Sequence, residues 1–344
     1  MQLNVELKLT PSPVYSLLNE EPESYQNQIE TCLFSMEEKG LFSLDSYGKV
    51  NSHLQNYEDL MDLSSHEPNM AWVAMQRRFG RHLANRFLKS KERPDVSGRI
   101  ISSKACQKSL IQNVDGGITL SGRWNFLSGV LHADQVGLLS RKENLAKGSL
   151  ELNYYLVNIS DVTVLDNWNV HGLKETQSRS IVLDNVFVPR NNIGTATIVD
   201  SRYRSHPPNN DKELLSLRLL GLLEVGACKE GLVKKFLREF CSLGGRRTEV
   251  KNDLEERFCE IQYSIRATLA NLSHNQFYES IYLYNKFKEF DDIVTKIVQS
   301  SGTRILSLEC PLMQTYLDLI AVNSHQALSN SGLNEFIEHN TSVI

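Results

Sequence analysis

The stretch from Asn113 to Arg141, NVDGGITLSGRWNFLSGVLHADQVGLLSR, decides the fold. It opens at Asp115 to Gly117 with the composition of a tight turn, because glycine adopts a positive φ without steric cost. From Ile118 to Ser121 apolar and polar residues alternate, which is the period of a strand with one buried face. Two aromatic residues at alternate positions, Trp124 and Phe126, then precede a serine, a glycine and a second strand-like apolar run. The pattern predicts a hairpin followed by further strands, and it suits either a packed core or a surface that holds a planar ring.

Composition limits the classes of partner. The chain has 344 residues, enough for a large core of two or three layers. Lysine plus arginine total 37 and aspartate plus glutamate 41, so the net charge is slightly negative and nothing indicates nucleic-acid binding. No apolar run reaches the ~20 residues of a membrane span, and the N-terminus lacks the basic-then-apolar order of a signal peptide. We expect a cytoplasmic protein that binds neither nucleic acid nor membrane.

Cysteine and histidine spacing gives no sign of a metal centre. The six cysteines are scattered over the whole length without a CxxC pair, and the nine histidines form no HxxxH or HxH pair. This is neither a disulfide framework nor a zinc pattern. The cysteines are expected to be buried free thiols.

Hydrophobic periodicity divides the chain into three regions. Residues 1–95 are predicted to form an N-terminal helical domain, residues 96–200 a β domain, and residues 201–344 a C-terminal bundle of four helices. One helical face near the N-terminus carries, in order, Ile29, Cys32, Leu33 and Met36, and Trp72 is expected to be a buried residue of a later helix. Short strands bracketed by helices indicate a small barrel or sandwich within a helical protein.

Finer predictions follow within these regions. The segment from Glu151 to Ile159 is apolar on both faces, which predicts a strand covered on both sides. A strand is also predicted from Ile181 to Val188, and the segment from Arg190 to Asn210, rich in Asn, Ser and Pro, is predicted to be a loop. The predicted C-terminal helices span, approximately, residues 211–243, 247–272, 278–297 and 311–328.

Two blocks carry a resemblance to a known family. GGITLSGRWNFLSGVLHAD and VLDNWNVHGLKETQS, the latter followed by LDNVFVP, resemble β-domain segments of two-component (group D) flavin-dependent monooxygenases built on the acyl-CoA dehydrogenase fold. The chain resembles a shortened and divergent member, with a compressed N-terminal region. The resemblance implies an α+β fold with an N-terminal helical domain, a middle β-barrel or sandwich and a C-terminal four-helix bundle, the flavin ring lying between the last two.

The same resemblance implies an activity and partners. Reduced FAD or FMN, supplied by a separate flavin reductase, would react with oxygen to give a C4a-hydroperoxide and transfer one oxygen to a small aromatic or amine-bearing metabolite, by hydroxylation or N-oxidation. The family's glycine-rich pyrophosphate turn is reduced here to Ser300 to Gly302, which weakens the case for an adenine dinucleotide and leaves FMN open. A homodimer or homotetramer is expected.

Site residues follow from the matching positions. The resemblance places the Ser128 hydroxyl against flavin N5 and O4, and it gives catalytic roles to His132, in the SGxxHAD run, and to His325, as base or hydroperoxide stabiliser. The expected cofactor-binding residues are Trp124, Phe126, Ser128, Gly129, Trp168, Gly172, Lys174, Thr176 and Ser178. Of the two aromatic residues on the first strand, we expect Phe126 to be the one in the core, since alternation points one of them away from the ring.

Three departures from the family pattern keep alternatives open. Glu175 and Gln177 stand where the family has small residues, and Ile320 replaces a residue of the helix that carries the family's histidine. The chain is therefore also considered as a non-catalytic relative acting as a binding or partner subunit. The other alternative is an acyl-CoA dehydrogenase proper, which needs a carboxylate base facing the flavin. The candidate carboxylates are Glu255, Glu260 and Glu309.

Overall fold

The computed structural model describes most of the chain in nine segments. These segments are residues 25–38, 53–88, 98–103, 109–144, 149–199, 217–243, 248–272, 276–307 and 309–329. Helices come first, then strands, then helices again. This order confirms the predicted α+β class.

Three helices precede the β region. They are α1 (Tyr25–Glu38), α2 (His53–His66) and α3 (Pro68–Phe87). Proline at the first position of α3 costs no hydrogen bond, because that N–H has no partner within the helix. The predicted apolar face of α1 is buried in the core, and the predicted burial of Trp72 in α3 is also confirmed. Because residues 1–24 lie outside the described part, the expected shortening of this region stays a prediction.

Eight strands form two four-stranded sheets. The strands are β1 (Ile100–Ser102), β2 (Leu110–Val114), β3 (Gly117–Leu127), β4 (Gln135–Asn144), β5 (Ser149–Asn158), β6 (Thr163–Val164), β7 (Arg179–Pro189) and β8 (Ile193–Val199). One sheet has the order β1-β4-β5-β8 and the other the order β2-β3-β7-β6. Apolar residues of both sheets share one core, so the sheets pack face to face as a sandwich. Strand β8 lies inside the predicted loop 190–210, so that prediction is wrong for residues 193–199.

The hairpin of β2 and β3 follows the predicted turn. Gly116 has a φ of +76°, and Val114 pairs with Gly117 across the turn. Further along, the pairing of β3 with β7 shifts register between Trp124 and Leu127. The prediction that Phe126 lies in the core is wrong: Trp124 is 1% exposed and Phe126 is 73% exposed. The irregular register, with Phe126 at a φ of +64°, breaks the simple alternation of sides.

The C-terminal helices and the N-terminal helices share one core. The later helices are α4 (Leu217–Ser242), α5 (Thr248–Ala270), α6 (Gln276–Ser301) and α7 (Pro311–Asn323). Helix α4 lies at the centre and packs against α2, α6 and α7. One apolar cluster runs from α1 through to α7, so the helices of the described chain share a core that is distinct from that of the β sandwich.

Three sequence expectations concern membranes, metals and thiols. None of the described helices combines the length and the apolar character that crossing a bilayer requires. Across the described segments, no group of three or more His, Cys, Asp or Glu side chains could hold a metal ion. The five described cysteines are free thiols; Cys32 and Cys228 are buried as expected, whereas Cys259 is exposed.

Candidate functional site

The site is built where β3 ends against α3. Ser128 and Gly129 form the turn after β3, and Gly129 has a φ of +75°. Its N–H donates to the Thr176 carbonyl at 2.8 Å. A Cβ added to Gly129 would lie 2.5 Å from Cγ1 of Val73. Glycine is therefore required here by the backbone angle and by the close approach of the helix.

A chain of buried hydroxyls starts at this turn. Trp72 Nε1 donates to Ser128 Oγ at 3.1 Å, and Ser128 Oγ lies 2.6 Å from Ser178 Oγ. Ser178 Oγ lies 2.7 Å from Thr176 Oγ1, which donates to the Leu173 carbonyl at 2.7 Å. We call Ser128, Ser178 and Thr176 the hydroxyl chain. All three side chains are buried, so three residues expected near a cofactor are joined to one another.

The far end of the hydroxyl chain is fixed to the helical bundle. The Leu173 N–H donates to Asp318 Oδ1 on α7 at 2.7 Å, and Gln314 donates to the same oxygen at 2.9 Å. Burial raises the pKa of Asp318, and the hydrogen bond from Leu173 opposes that rise. A Cβ on Gly172 would lie 2.2 Å from the Leu317 carbonyl oxygen, so the segment lies directly on α7.

Strained backbone clusters around the hydroxyl chain. Within the described segments, four non-glycine residues have a positive φ: Phe126, Leu173, Gln177 and Asn185. The first three flank the hydroxyl chain in sequence. Such conformations cost free energy and concentrate at functional sites. Gln177 is one of the departures from the family pattern, and its φ of +45° is one that glycine adopts more readily.

The side chains of Gln177 and Glu175, two of the departures from the family pattern, are half-buried. The Gln177 side chain turns to Arg179, whose Nη2 donates to Oε1 at 3.1 Å. The Glu175 N–H donates to Asn69 Oδ1 at 3.2 Å. Ile320 is exposed on α7.

An aromatic pair lies beside the turn, with Phe126 exposed and Trp168 half-buried. The Phe126 and Trp168 rings meet edge to face, with centroids 6.4 Å apart; we call the pair the aromatic shelf. Trp168 Nε1 donates to the Lys174 carbonyl at 3.0 Å, which fixes the indole against the segment that carries the hydroxyl chain. The Lys174 side chain is exposed. By contrast, the Trp124 indole packs inside the sandwich, where Nε1 donates to the Leu139 carbonyl at 3.0 Å; it supports β3 from within.

His325 reaches the site through Trp72. It stands after α7, and its Nδ1 accepts the Ala327 N–H at 3.3 Å. Its ring meets Trp72 edge to face, with centroids 5.5 Å apart. Trp72 therefore contacts both Ser128, from the β sandwich, and His325, from the bundle. Because Nδ1 is an acceptor, the proton of the neutral imidazole lies on Nε2.

His132 belongs to a different group of charges. It lies in the short 3-10 helix Val130–His132, and burial lowers its pKa; the charges that act on it are those of Glu30, Arg99 and Arg77. Arg99 pairs with Asp134 at 2.8 Å and also with Glu30. A cavity of about 520 Å³ is lined by Glu30, Arg77, Arg99 and Asp134, among others. Trp72 thus links Ser128 with His325, whereas His132 lies near the charges of Glu30, Arg77 and Arg99.

Solved structures with this architecture identify the fold. The structure of 3-HSA hydroxylase from Rhodococcus sp. RHA1 superposes with a TM-score of 0.69 and 20% identity, over 96% of this chain and 94% of that chain. Butyryl-CoA dehydrogenase from Megasphaera elsdenii superposes with a TM-score of 0.69 and 14% identity, over 98% of this chain and 94% of that chain. The chain has the acyl-CoA dehydrogenase fold. Because hydroxylase and dehydrogenase match equally well, this fold by itself does not decide the reaction.

Sequence comparison distinguishes the hydroxylase from the dehydrogenase better than the fold does. No protein-family model matches the chain. The oxygenase component of an FADH(2)-dependent resorcinol hydroxylase from Rhizobium sp. (strain MTP-10005) is 34% identical over 104 residues, which are 30% of this chain and 25% of that protein. The chain therefore matches about a quarter of that relative's length. This acyl-CoA dehydrogenase-fold chain is similar, at low identity, to the oxygenase component of a flavin-dependent monooxygenase system.

One residue of the site was missed by reasoning from sequence. Trp72 was predicted to be buried, but its contacts with Ser128 and His325 were not expected. The contact with Ser128 joins positions 56 residues apart, the contact with His325 joins positions still further apart, and both depend on how α3 packs in this acyl-CoA dehydrogenase fold. The sequence signal that was available is the indole N–H itself, since a buried tryptophan usually finds an acceptor for it.

Proposed function

We propose that this chain is the oxygenase component of a two-component, flavin-dependent monooxygenase. It would use reduced FAD or FMN and oxygen to hydroxylate or N-oxidise a small aromatic or amine-bearing metabolite. One observation carries the proposal: a buried hydroxyl, Ser128, lies at the strained turn beside the aromatic shelf. The similarity to an oxygenase component supports the same reading.

The residues present fit an isoalloxazine. That ring system is planar and largely apolar, with polar atoms along one edge, and planar apolar groups bind well against aromatic side chains. Phe126 and Trp168 offer such a surface. Ser128 offers a hydroxyl for a ring heteroatom, and the exposed Lys174 offers a positive charge for an anionic ring or phosphate.

The chemistry divides between cofactor and protein. Reduced flavin, when bound, activates oxygen and supplies the oxygen atom that is transferred. The protein keeps Ser128 away from water, since its side chain is buried and accepts a hydrogen bond from the Trp72 indole. His325, with its neutral-form proton on Nε2, is arranged to donate a hydrogen bond from that atom. The buried surroundings strengthen each of these polar interactions relative to water.

Partners and assembly belong to the same proposal. A chain of this kind needs a separate flavin reductase, and a homodimer or homotetramer is expected. The Ser300 to Gly302 turn ends α6, with Gly302 at a φ of +59° and open space around it. The experiment below therefore uses both FMN and FAD.

The deciding experiment is anaerobic titration of the purified chain with reduced FMN and reduced FAD, followed by mixing with oxygen in a stopped-flow spectrometer. We expect saturable binding of one reduced flavin and, after mixing with oxygen, a transient absorbance. In Ser128→Ala this absorbance should decay at least about tenfold faster, which corresponds to an activation free energy of decay lower by about 1.4 kcal/mol. Ser140→Ala, a buried serine in the sandwich, is the matched control and should behave as wild type. No binding of either reduced flavin would favour the non-catalytic alternative.

The dehydrogenase alternative has a specific weakness. Its candidate bases are engaged or exposed elsewhere: Glu260 pairs with Arg257 at 3.0 Å, Glu255 accepts from Cys241 at 3.5 Å, and Glu309 is exposed. Bleaching of bound oxidised flavin by an acyl-CoA in the same spectrometer would revive that alternative.

A further inference from the structure

The direction of every proton in the hydroxyl chain can be assigned from its fixed end. A backbone carbonyl only accepts, so the Thr176 hydroxyl must donate its proton to Leu173, at 2.7 Å. A hydroxyl has one proton. The Thr176 oxygen therefore accepts from Ser178, at 2.7 Å.

The same reasoning reaches Ser128. Since Ser178 donates to Thr176, its oxygen accepts from Ser128, at 2.6 Å. At the other side, the indole N–H of Trp72 only donates, and it donates to Ser128 at 3.1 Å. Ser128 thus uses its proton on Ser178 and one lone pair on Trp72. Among the hydrogen bonds of the described residues, one lone pair of Ser128 is left without a donor, and a lone pair can only accept.

Burial keeps this order in place. The three hydroxyl side chains are 1–5% exposed and Trp72 is 6% exposed, so water is not at hand to replace a lost partner. Turning the Ser128 proton away from Ser178 would leave a buried hydroxyl without its donor, which is costly in a low-dielectric interior. Ser178 and Thr176 are joined to Ser128 by hydrogen bonds, and they act through it.

We propose that Ser178 and Thr176 are positioning residues that hold Ser128 as a hydrogen-bond acceptor and so select the reduced form of the flavin. This rests on the proposed function. Reduced flavin carries a proton on N5 and donates there, whereas N5 of oxidised flavin only accepts. An acceptor-only Ser128 therefore complements the reduced ring and opposes the oxidised ring with a second lone pair.

The test is the ratio of dissociation constants for oxidised and reduced flavin, measured anaerobically by fluorescence titration with FMN and with FAD. In Ser178→Ala the Ser128 proton loses its acceptor and becomes free to donate to oxidised N5. We expect the preference for reduced flavin to fall at least about tenfold, mainly through tighter binding of the oxidised form. Thr176→Val should act in the same direction, and Thr176→Ser, which keeps the hydroxyl, should retain the wild-type ratio.

The outcomes separate this inference from the proposed function. If wild type binds reduced flavin and the ratio stays unchanged in both Ser178→Ala and Thr176→Val, the positioning role is wrong while the proposed function stands. If wild type binds neither form, both fail. Circular dichroism melts check folding, and should Ser178→Ala not fold, the pair Thr176→Val and Thr176→Ser decides: equal ratios in these two variants overturn the inference.

Discussion

The hydroxyl chain and the helical core around Glu230 are both buried and polar, yet they are completed differently. Glu230 is fully buried; its Oε1 accepts from Gln262 at 2.6 Å and pairs with Arg266 at 2.6 Å. Its Oε2 accepts from the Tyr57 hydroxyl at 2.6 Å. Each oxygen of the carboxylate is satisfied within the fold. The hydroxyl chain instead ends at Ser128, which has one lone pair without a donor among the described residues.

This difference separates support from function. Where the protein supplies all the hydrogen bonds of a buried group, removing the group should cost stability. Where it leaves one position open beside a strained backbone, a change should alter ligand binding more than stability. Four experiments test this comparison, beginning with the largest expected effect.

Replacing the buried carboxylate should have the greatest consequence. Glu230→Leu leaves Arg266 and Tyr57 facing an apolar side chain, and we expect the free energy of unfolding to fall by about 3–5 kcal/mol. Urea denaturation followed by circular dichroism measures it. Glu58→Gln is the control, because Glu58 also pairs with Arg266, at 2.7 Å, but is partly exposed; it should cost about 1 kcal/mol or less. Equal losses in both variants would contradict the closed-cluster interpretation.

The pH dependence of stability tests a second buried group, the histidine His82, which the fold keeps uncharged. Burial, reinforced by the charge of Arg86, lowers the pKa of His82 to about 4. Between pH ~6.5 and 4 the unfolded chain binds a proton that the folded chain does not, so stability falls as the pH falls through this window, by up to about 3 kcal/mol.

His82→Gln should remove this part of the pH dependence, and Arg86→Gln should reduce it, because it removes a charge that disfavours protonation. Unfolding free energies at pH 7 and pH 5 measure both effects. An unchanged difference between the two pH values in His82→Gln would assign the acid sensitivity to other groups.

Adding one methyl group tests how closely the two halves of the site are packed. Gly172→Ala places a Cβ 2.2 Å from the Leu317 carbonyl oxygen, and we expect a loss of about 1–3 kcal/mol. Gly221→Ala, inside α4 with nothing within 4 Å, should stabilise by about 0.5–1 kcal/mol. Thermal melts compare the two. A Gly172→Ala variant as stable as wild type would show that the segment does not lie tightly on α7.

Relieving strain at the aromatic shelf should separate stability from binding. Phe126→Gly removes a side chain held at a φ of +64°, so we expect a gain of about 0.5–1 kcal/mol in stability together with weaker binding of reduced flavin. Asn185→Gly relieves the φ of +51° away from the shelf and should leave flavin binding unchanged. Loss of stability in Phe126→Gly would mean that the shelf is structural.

Local patterns predicted the elements, and tertiary packing decided what they missed. The hairpin turn at Asp115 to Gly117 and the helical stripes are signals carried by neighbouring residues. Strand β8 was mistaken for a loop, since its definition comes from pairing with β5, where Ile193 lies opposite Tyr155. The prediction placed Phe126 instead of Trp124 in the core, because it assumed a regular alternation of sides. A register shift between Trp124 and Leu127 interrupts that alternation.

The site was predicted in part for the same reason. Ser128, Thr176 and Ser178 were named from the family resemblance, and the structure joins them, while the cofactor-binding roles themselves stay predictions. Trp72, which donates to the end of the hydroxyl chain, lies on a helix far away in sequence, so only the packing of the fold brings it next to Ser128. His132, close to Ser128 in sequence, faces the charges of Glu30, Arg77 and Arg99 instead.

The Leu173 residue has a place in both halves of the molecule. Its N–H is held by Asp318 of α7 and its carbonyl receives the end of the hydroxyl chain. A tilt of the bundle relative to the sandwich would therefore be transmitted to Ser128 through Leu173, in addition to the contact of His325 with Trp72. Amide hydrogen–deuterium exchange at Leu173 would then report how often the hydrogen bond that joins this segment to α7 opens.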